Sequence, residues 1–237
     1  KNTNSGARKT FVWANGLHGL DIIGNRTVYN TTSYTSNTYG AISFTGNSAY
    51  TRIQDNDFVI SSTGHGIYIV NASGNYVALT IANNHLTNGA TATTTDKYGL
   101  YMVGSGGILG PVNITNNEFM SFNSGIYLGV TTGGNSGNLN ISGNLLDIGT
   151  TGSNGIYLYS AVSYGFWYAN IMGNTVSGGG SAGNTSLGIG LDGGTNTQNP
   201  GMTFTGNNLS YIQTGIDLGS HCDKCLISAN SIKGDTN

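Results

Sequence analysis

Apolar and polar positions alternate along this chain in short bursts, and the three- and four-residue apolar spacing of an amphipathic helix does not occur. One burst recurs eight times: an apolar residue, two variable residues, Asn, one variable residue and a second apolar residue. Ile53-Gln54-Asp55-Asn56-Asp57-Phe58 is typical, and further copies centre on Asn84, Asn117, Asn144, Asn174, Asn207 and Asn230. The copy at Asn25 is looser, because Thr27 replaces the last apolar residue. Successive asparagines lie 31, 28, 33, 27, 30, 33 and 23 residues apart. A second burst, Gly-apolar-x-apolar, falls between them seven times. It reads Gly66-Ile67-Tyr68-Ile69 and returns from Gly99, Gly125, Gly155, Gly188 and Gly215, with Ala41-Ile42-Ser43-Phe44 as the loosest copy. Each unit therefore predicts at least two short strands of period two, joined by turns of Gly, Asn and Ser.

Units of about 30 residues that carry only short strands bury a core in few ways. A propeller blade needs four antiparallel strands in about 40 or more residues, and a leucine-rich repeat needs a leucine framework that this chain lacks. A parallel β-helix fits: each unit is one coil, and equivalent strands stack about 4.8 Å apart along the axis. Inward residues then form apolar columns. The recurrent Asn is expected at a corner, where its amide bonds along the stack and its tolerance of left-handed backbone angles suits the bend. Unequal spacings become loops of unequal length.

Composition agrees with a strand-built rod. Gly (39), Asn (31), Thr (29) and Ser (23) make 122 of 237 residues, all weak helix formers. Simple disorder is disfavoured by 37% apolar residues, 14 Tyr, 2 Pro and a formal charge of only −2. Eight scattered Lys and Arg form no basic stripe, so no nucleic-acid partner is expected. The apolar runs are far short of the roughly 20 residues that cross a bilayer, so neither is membrane insertion. Lys1 to Thr10 is polar and holds no secretory leader. The expected organisation is one β-helix domain over 1–237, a segment of a longer protein, with a lead-in at 1–14, coils over 15–233 and a tail at 234–237. Cys222 and Cys225 read as a local disulfide or two plain thiols. With only His221 nearby, neither a metal site nor any cofactor is expected.

On these two motifs the chain, over roughly 15–233, resembles the right-handed parallel β-helix superfamily of pectate lyases, polygalacturonases and phage tailspike depolymerases. The resemblance implies an all-β, single-stranded, right-handed parallel β-helix, here of about eight coils with an asparagine ladder. It also implies that the Gly-apolar-x-apolar strand lines a groove where polysaccharide lies. Gly64-His65-Gly66 looks like the Gly-His-Gly of polygalacturonases, yet their aspartate trio and following Arg-x-Lys have no counterpart. The calcium carboxylate cluster and catalytic arginine of pectate lyases are missing from this face too.

Side-chain alternation turns the x position outward. Down the coils it reads Ser43, Tyr68, Tyr101, Tyr127, Tyr157, Gly190 and Asp217. Four consecutive tyrosines predict an aromatic ladder that either binds sugar faces or stabilises neighbouring strands. His65 and Tyr98 sit beside it, with Asp96 and Lys97 in the incoming turn. Glycoside hydrolysis needs two carboxyl groups, and Asp192 and Asp217 are the first candidates. One coil step and two residues place their backbones roughly 8 Å apart, within the range for inverting enzymes. Both also suit plain turn formation. A second column, the residue after each ladder Asn, reads Arg26, Asp57, His85, Glu118, Leu145, Thr175, Asn208 and Ser231. Asp57 and Glu118 with His85 between them are the second-choice catalytic group, or else a charge ladder on a solvated face. Seven Asn-x-Ser/Thr sequons, at Asn25, Asn30, Asn71, Asn113, Asn140, Asn184 and Asn208, are what such a composition yields by chance.

Two functions of different class follow. One is an extracellular, cell-surface or virion-surface β-helix that binds polysaccharide or a cell-surface glycan along the Tyr-lined groove and cleaves it as a glycosidase or lyase. The other is a noncatalytic receptor-binding shaft or adhesin, which the scarcity of charge favours. An ice-binding face would want a Thr-x-Thr register, and the outward columns are Tyr or Asn instead. Neither end offers a capping helix, so a homotrimer or end-to-end packing with flanking domains is expected.

Overall fold

The computed structural model describes residues 3–4, 12–27, 40–60, 64–71, 76–89, 97–105, 110–131, 138–149, 152–161, 166, 168–179, 185–194 and 199–234. Asp96 and the sequons Asn30 and Asn184 lie outside them. Every regular element among the described residues is a strand, and every pairing is parallel. The chain winds through three sheets in turn. The first stacks eight strands from Asp21–Ile23 to Leu226–Ser228, and the second stacks nine from Thr3–Asn4 to Ser231–Gly234. The third runs from Val12–His18 through His65–Asn71, Tyr98–Gly104, Ser124–Val130, Asn154–Ser160 and Leu187–Gly193 to Thr214–Asp217. Pairing thus begins inside the expected lead-in segment. This is a parallel β-helix.

Each turn sends apolar side chains inward from all three sheets. The first sheet contributes an isoleucine column (Ile53, Ile81, Ile114, Ile141, Ile171), and the second contributes Phe58, Leu86, Phe119, Leu146 and Val176, all fully buried. The third supplies the apolar pair of each Gly-apolar-x-apolar motif, from Ile67 and Ile69 to Ile189 and Leu191. Branched residues suit a flat stacked sheet, and each one buried stabilises the fold by roughly 1.5–3 kcal/mol. About five turns, from Arg52–Gln54 to Leu187–Gly193, are complete and closed on both sides. The expected eight coils are therefore too many. Each Asn motif marks a coil, but among the described residues the final one is followed by no third-sheet strand, and Ile227 and Ile232 stand at 52% and 54% exposure.

The asparagine ladder runs unbroken between the first and second sheets. Nδ2 of Asn25, Asn56, Asn84, Asn117, Asn144, Asn174 and Asn207 donates to Oδ1 of the next asparagine at 2.8–3.0 Å. The same Oδ1 also accepts the backbone N–H of the preceding asparagine, and the second amide hydrogen goes to a carbonyl of the coil before, as from Asn117 to Ile81. Asn25 is committed to this ladder, so its sequon carries no accessible amide. The ladder asparagines do not themselves adopt left-handed angles. That role falls to the residue before each: Gly24, Asp55, Asn83, Asn116, Gly143, Gly173, Gly206 and Ala229, with φ between 53° and 67°. The ladder Asn instead turns its amide inward, where its bonds run along the axis.

Glycine stands second in the third-sheet strands from His65–Asn71 to Thr214–Asp217 because of space. A Cβ on Gly66, Gly125, Gly155 or Gly188 would strike the carbonyl oxygen of the equivalent glycine one coil on, as well as a Leu or Val of the second sheet.

Candidate functional site

Register places the tyrosines in one column on the outer face of the third sheet. Tyr68 pairs with Tyr101, Tyr101 with Tyr127, and Tyr127 with Tyr157. Their rings stack at 5.4, 5.0 and 5.7 Å between centroids, at 7°, 13° and 25°. The ring planes lie across the axis, so each inner tyrosine spends both faces on its neighbours. Along its length the ladder thus offers a sugar ring edges and hydroxyls rather than faces. His65 is buried at 3% exposure, stacked against Tyr68, Tyr98 and Tyr101, and its Nδ1 accepts the Tyr98 backbone N–H at 3.2 Å. It belongs to the support of the stack. Tyr98 leans on Tyr101 and Tyr127 at 46° and 59°. Lys97, just before Tyr98, is buried, which lowers the pKa of its amine.

Beyond Tyr157 the column changes character. Gly190 is next in register and Asp217 follows it. Here a cleft of about 340 Å³ is lined by Tyr157, Leu187, Gly190, Asp192, Asp217 and His221, among others, with Leu187 and the edge of the Tyr157 ring lying over Gly190. Asp192 and Asp217, expected to share a face, do share this cleft. The Tyr157 hydroxyl donates to Asp192 Oδ2 at 2.6 Å, and the Gly193 N–H donates to Oδ1 at 2.7 Å. The Tyr157 bond is the largest cause of a carboxyl held below its ordinary pKa, with the Gly193 N–H and the His221 charge adding to it against some desolvation. Tyr157 shifts upward, first through burial and then through Asp192. Asp217 Oδ1 accepts the Gly219 N–H at 3.0 Å.

His221 is the cleft residue that sequence reasoning used only to weigh a zinc site. Its Nε2 lies 3.6 Å from Asp192 Oδ1. Buried Asn199 fixes its backbone: the Asn199 N–H and Nδ2 both donate to the His221 carbonyl, at 2.9 and 3.1 Å. The adjacent residues Cys222 and Cys225 form a disulfide, with Cα atoms 6.0 Å apart. Nothing in the spacing of the motifs joins His221 to Asp192. The break in the tyrosine column at Gly190 was the one signal in the sequence.

The second carboxylate group lies on a different sheet. Arg26, Asp57, His85 and Glu118 are consecutive in register along the second sheet. Asp57 is bracketed by Arg26 Nε at 3.0 Å and His85 Nδ1 at 3.1 Å, and His85 Nε2 is 3.9 Å from Glu118 Oε2. These groups are 39–65% exposed and direct their charges at one another. Such exposed ion pairs contribute at most about 1 kcal/mol each. A further exposed pair on the first sheet, Asp21 with Arg52, lowers the aspartate pKa by direct hydrogen bonding. Among the described residues, no helix is long and apolar enough to cross a membrane.

Compared with known protein families, curated proteins and solved structures, the chain matches none.

Proposed function

We propose that this β-helix binds polysaccharide on the outer face of its third sheet, at an extracellular, cell or virion surface, with one sugar unit seated in the cleft beyond Tyr157. One observation carries the reading: the tyrosine stack ends in a cleft that combines a tyrosine ring, two carboxylates and an imidazole. Flat apolar ring faces beside a few convergent polar groups suit carbohydrate. In the pectate lyase and tailspike likeness, this is also the sheet that meets the chain of sugars. A cleaving version uses Asp192, the carboxylate kept ionised, as base and Asp217 as acid, at a spacing suited to inversion.

The noncatalytic shaft or adhesin has its own support. Tyr101 and Tyr127 have both faces taken up by stacking on their neighbours, which builds stiffness. Incubation with a panel of bacterial and plant polysaccharides separates the two. Release of reducing ends that is abolished by Asp217→Asn supports hydrolysis. Binding without cleavage supports the shaft, and no binding to any member of the panel overturns the carbohydrate reading. Exposed Leu226, Ile227 and Ile232 at the last turn support end-to-end packing or a homotrimer as part of the same proposal.

A further inference from the structure

Two features of the third sheet meet at Tyr157: a continuous ring stack and a phenol bonded to a carboxylate. Tyr68, Tyr101, Tyr127 and Tyr157 follow one another with centroids 5.4, 5.0 and 5.7 Å apart. Rings in such contact pass an electron vacancy along the column far more readily than rings scattered over a surface, because their π systems adjoin.

Where the vacancy comes to rest is decided by the proton. A phenol that has lost one electron is a strong acid, so a tyrosine is oxidised most easily where a base already holds its hydroxyl hydrogen. Tyr157 meets that condition: its hydroxyl donates to Asp192 Oδ2 at 2.6 Å, the length of a charge-assisted bond. The receiving carboxylate is kept ionised, since the Gly193 N–H and the His221 charge reinforce the effect of the Tyr157 bond. His221 Nε2 lies 3.6 Å from Oδ1, the oxygen that the phenol does not use. Tyr127, the next ring, owes its raised pKa to burial and neighbouring charges and not to a carboxylate bond. The Tyr157 end of the column is therefore where a vacancy settles.

Going beyond carbohydrate binding and independent of it, we infer that Tyr157 is a redox-active tyrosine, with the stack as its relay and Asp192 as its proton acceptor. An outer-sphere one-electron oxidant takes one electron from the column and is itself reduced. The Tyr157 O–H bond breaks, the proton passes to Asp192 Oδ2, and a neutral tyrosyl radical stands beside a carboxylic acid. Flash photolysis of the whole protein with photogenerated ruthenium(III) tris-bipyridine as oxidant tests this, the radical being followed by absorbance and electron paramagnetic resonance. The protein is expected to form the radical in a fast phase that slows in heavy water. Asp192→Asn, at a position 53% exposed, keeps the fold and removes the base. It should slow that phase about a hundredfold, the low end of what a positioned proton acceptor contributes. Tyr157→Phe keeps a ring in the stack and should abolish the fast phase. Tyr127→Phe interrupts the relay and should lower the yield of that phase without changing its dependence on Asp192. A fast phase that survives Tyr157→Phe, or a rate unchanged by Asp192→Asn, overturns the assignment. A yield unchanged by Tyr127→Phe overturns the relay.

Discussion

At the scale of single residues, the 2.6 Å bond between Tyr157 and Asp192 needs a protonated phenol and an ionised carboxylate, so each group resists the titration that would break it. Asp192 sits below its ordinary value. Its contribution to stability is present above the unfolded-state pKa of about 3.9 and is lost as pH falls through the lower folded value. Tyr127 and Tyr157 are raised, chiefly by burial. Their contribution is complete below the unfolded value of about 10 and is lost as pH climbs through the folded one. A tyrosinate absorbance titration should therefore show Tyr127 and Tyr157 ionising late. In Tyr157→Phe one late titration should disappear, and the Asp192 carboxyl, followed by NMR, should move up toward the ordinary aspartate value. An unchanged Asp192 would mean that the hydroxyl does not hold it. None of this coupling was legible in the sequence, because the direction in which a tyrosine ring leans depends on Gly190 beside it.

At the scale of the repeating elements, a ladder asparagine is worth what its neighbours lose without it. Asn117→Ala removes the acceptor of both the backbone N–H and Nδ2 of Asn84, and the donor to Ile81 O and Asn144 Oδ1, all in a dry corner. Buried groups left without partners cost roughly 1–3 kcal/mol each, so a loss of about 3–5 kcal/mol is expected. Asn230→Ala removes the equivalent acceptors of Asn207 at the partly buried last turn, where water can replace them, and should cost only about 1 kcal/mol. Urea denaturation of both variants checks the contrast, and equal losses would contradict it. The ladder and the inward columns were legible because period-two alternation and a recurring Asn leave one register that buries every apolar position. The left-handed residue was misplaced by one position. Asn tolerates such angles, but a buried amide that must bond along the axis cannot also turn the corner.

For the molecule as a whole, three sheets stack into a rod whose last described turn is open: Ile227 and Ile232 stand 52% and 54% exposed where inner turns bury the equivalent inward positions. Capping by another chain predicts that the 24.5 kDa protein sediments as an oligomer and that Ile232→Glu shifts it toward the monomer. A monomer at all concentrations would leave the end to water. The count of asparagine motifs overestimated the turns because motif copies persist at an end where closure does not. The candidate cleft was half legible: Asp192, Asp217 and Tyr157 follow from register, whereas His221 arrives on a turn held by Asn199 and a disulfide that no repeat encodes. The central claim is that function resides where the tyrosine stack ends. NMR shift mapping with a bound oligosaccharide tests it most directly: the account predicts perturbations centred on Tyr157, Gly190, Asp192, Asp217 and His221. Perturbations centred on Asp57, His85 and Glu118 of the second sheet would contradict it.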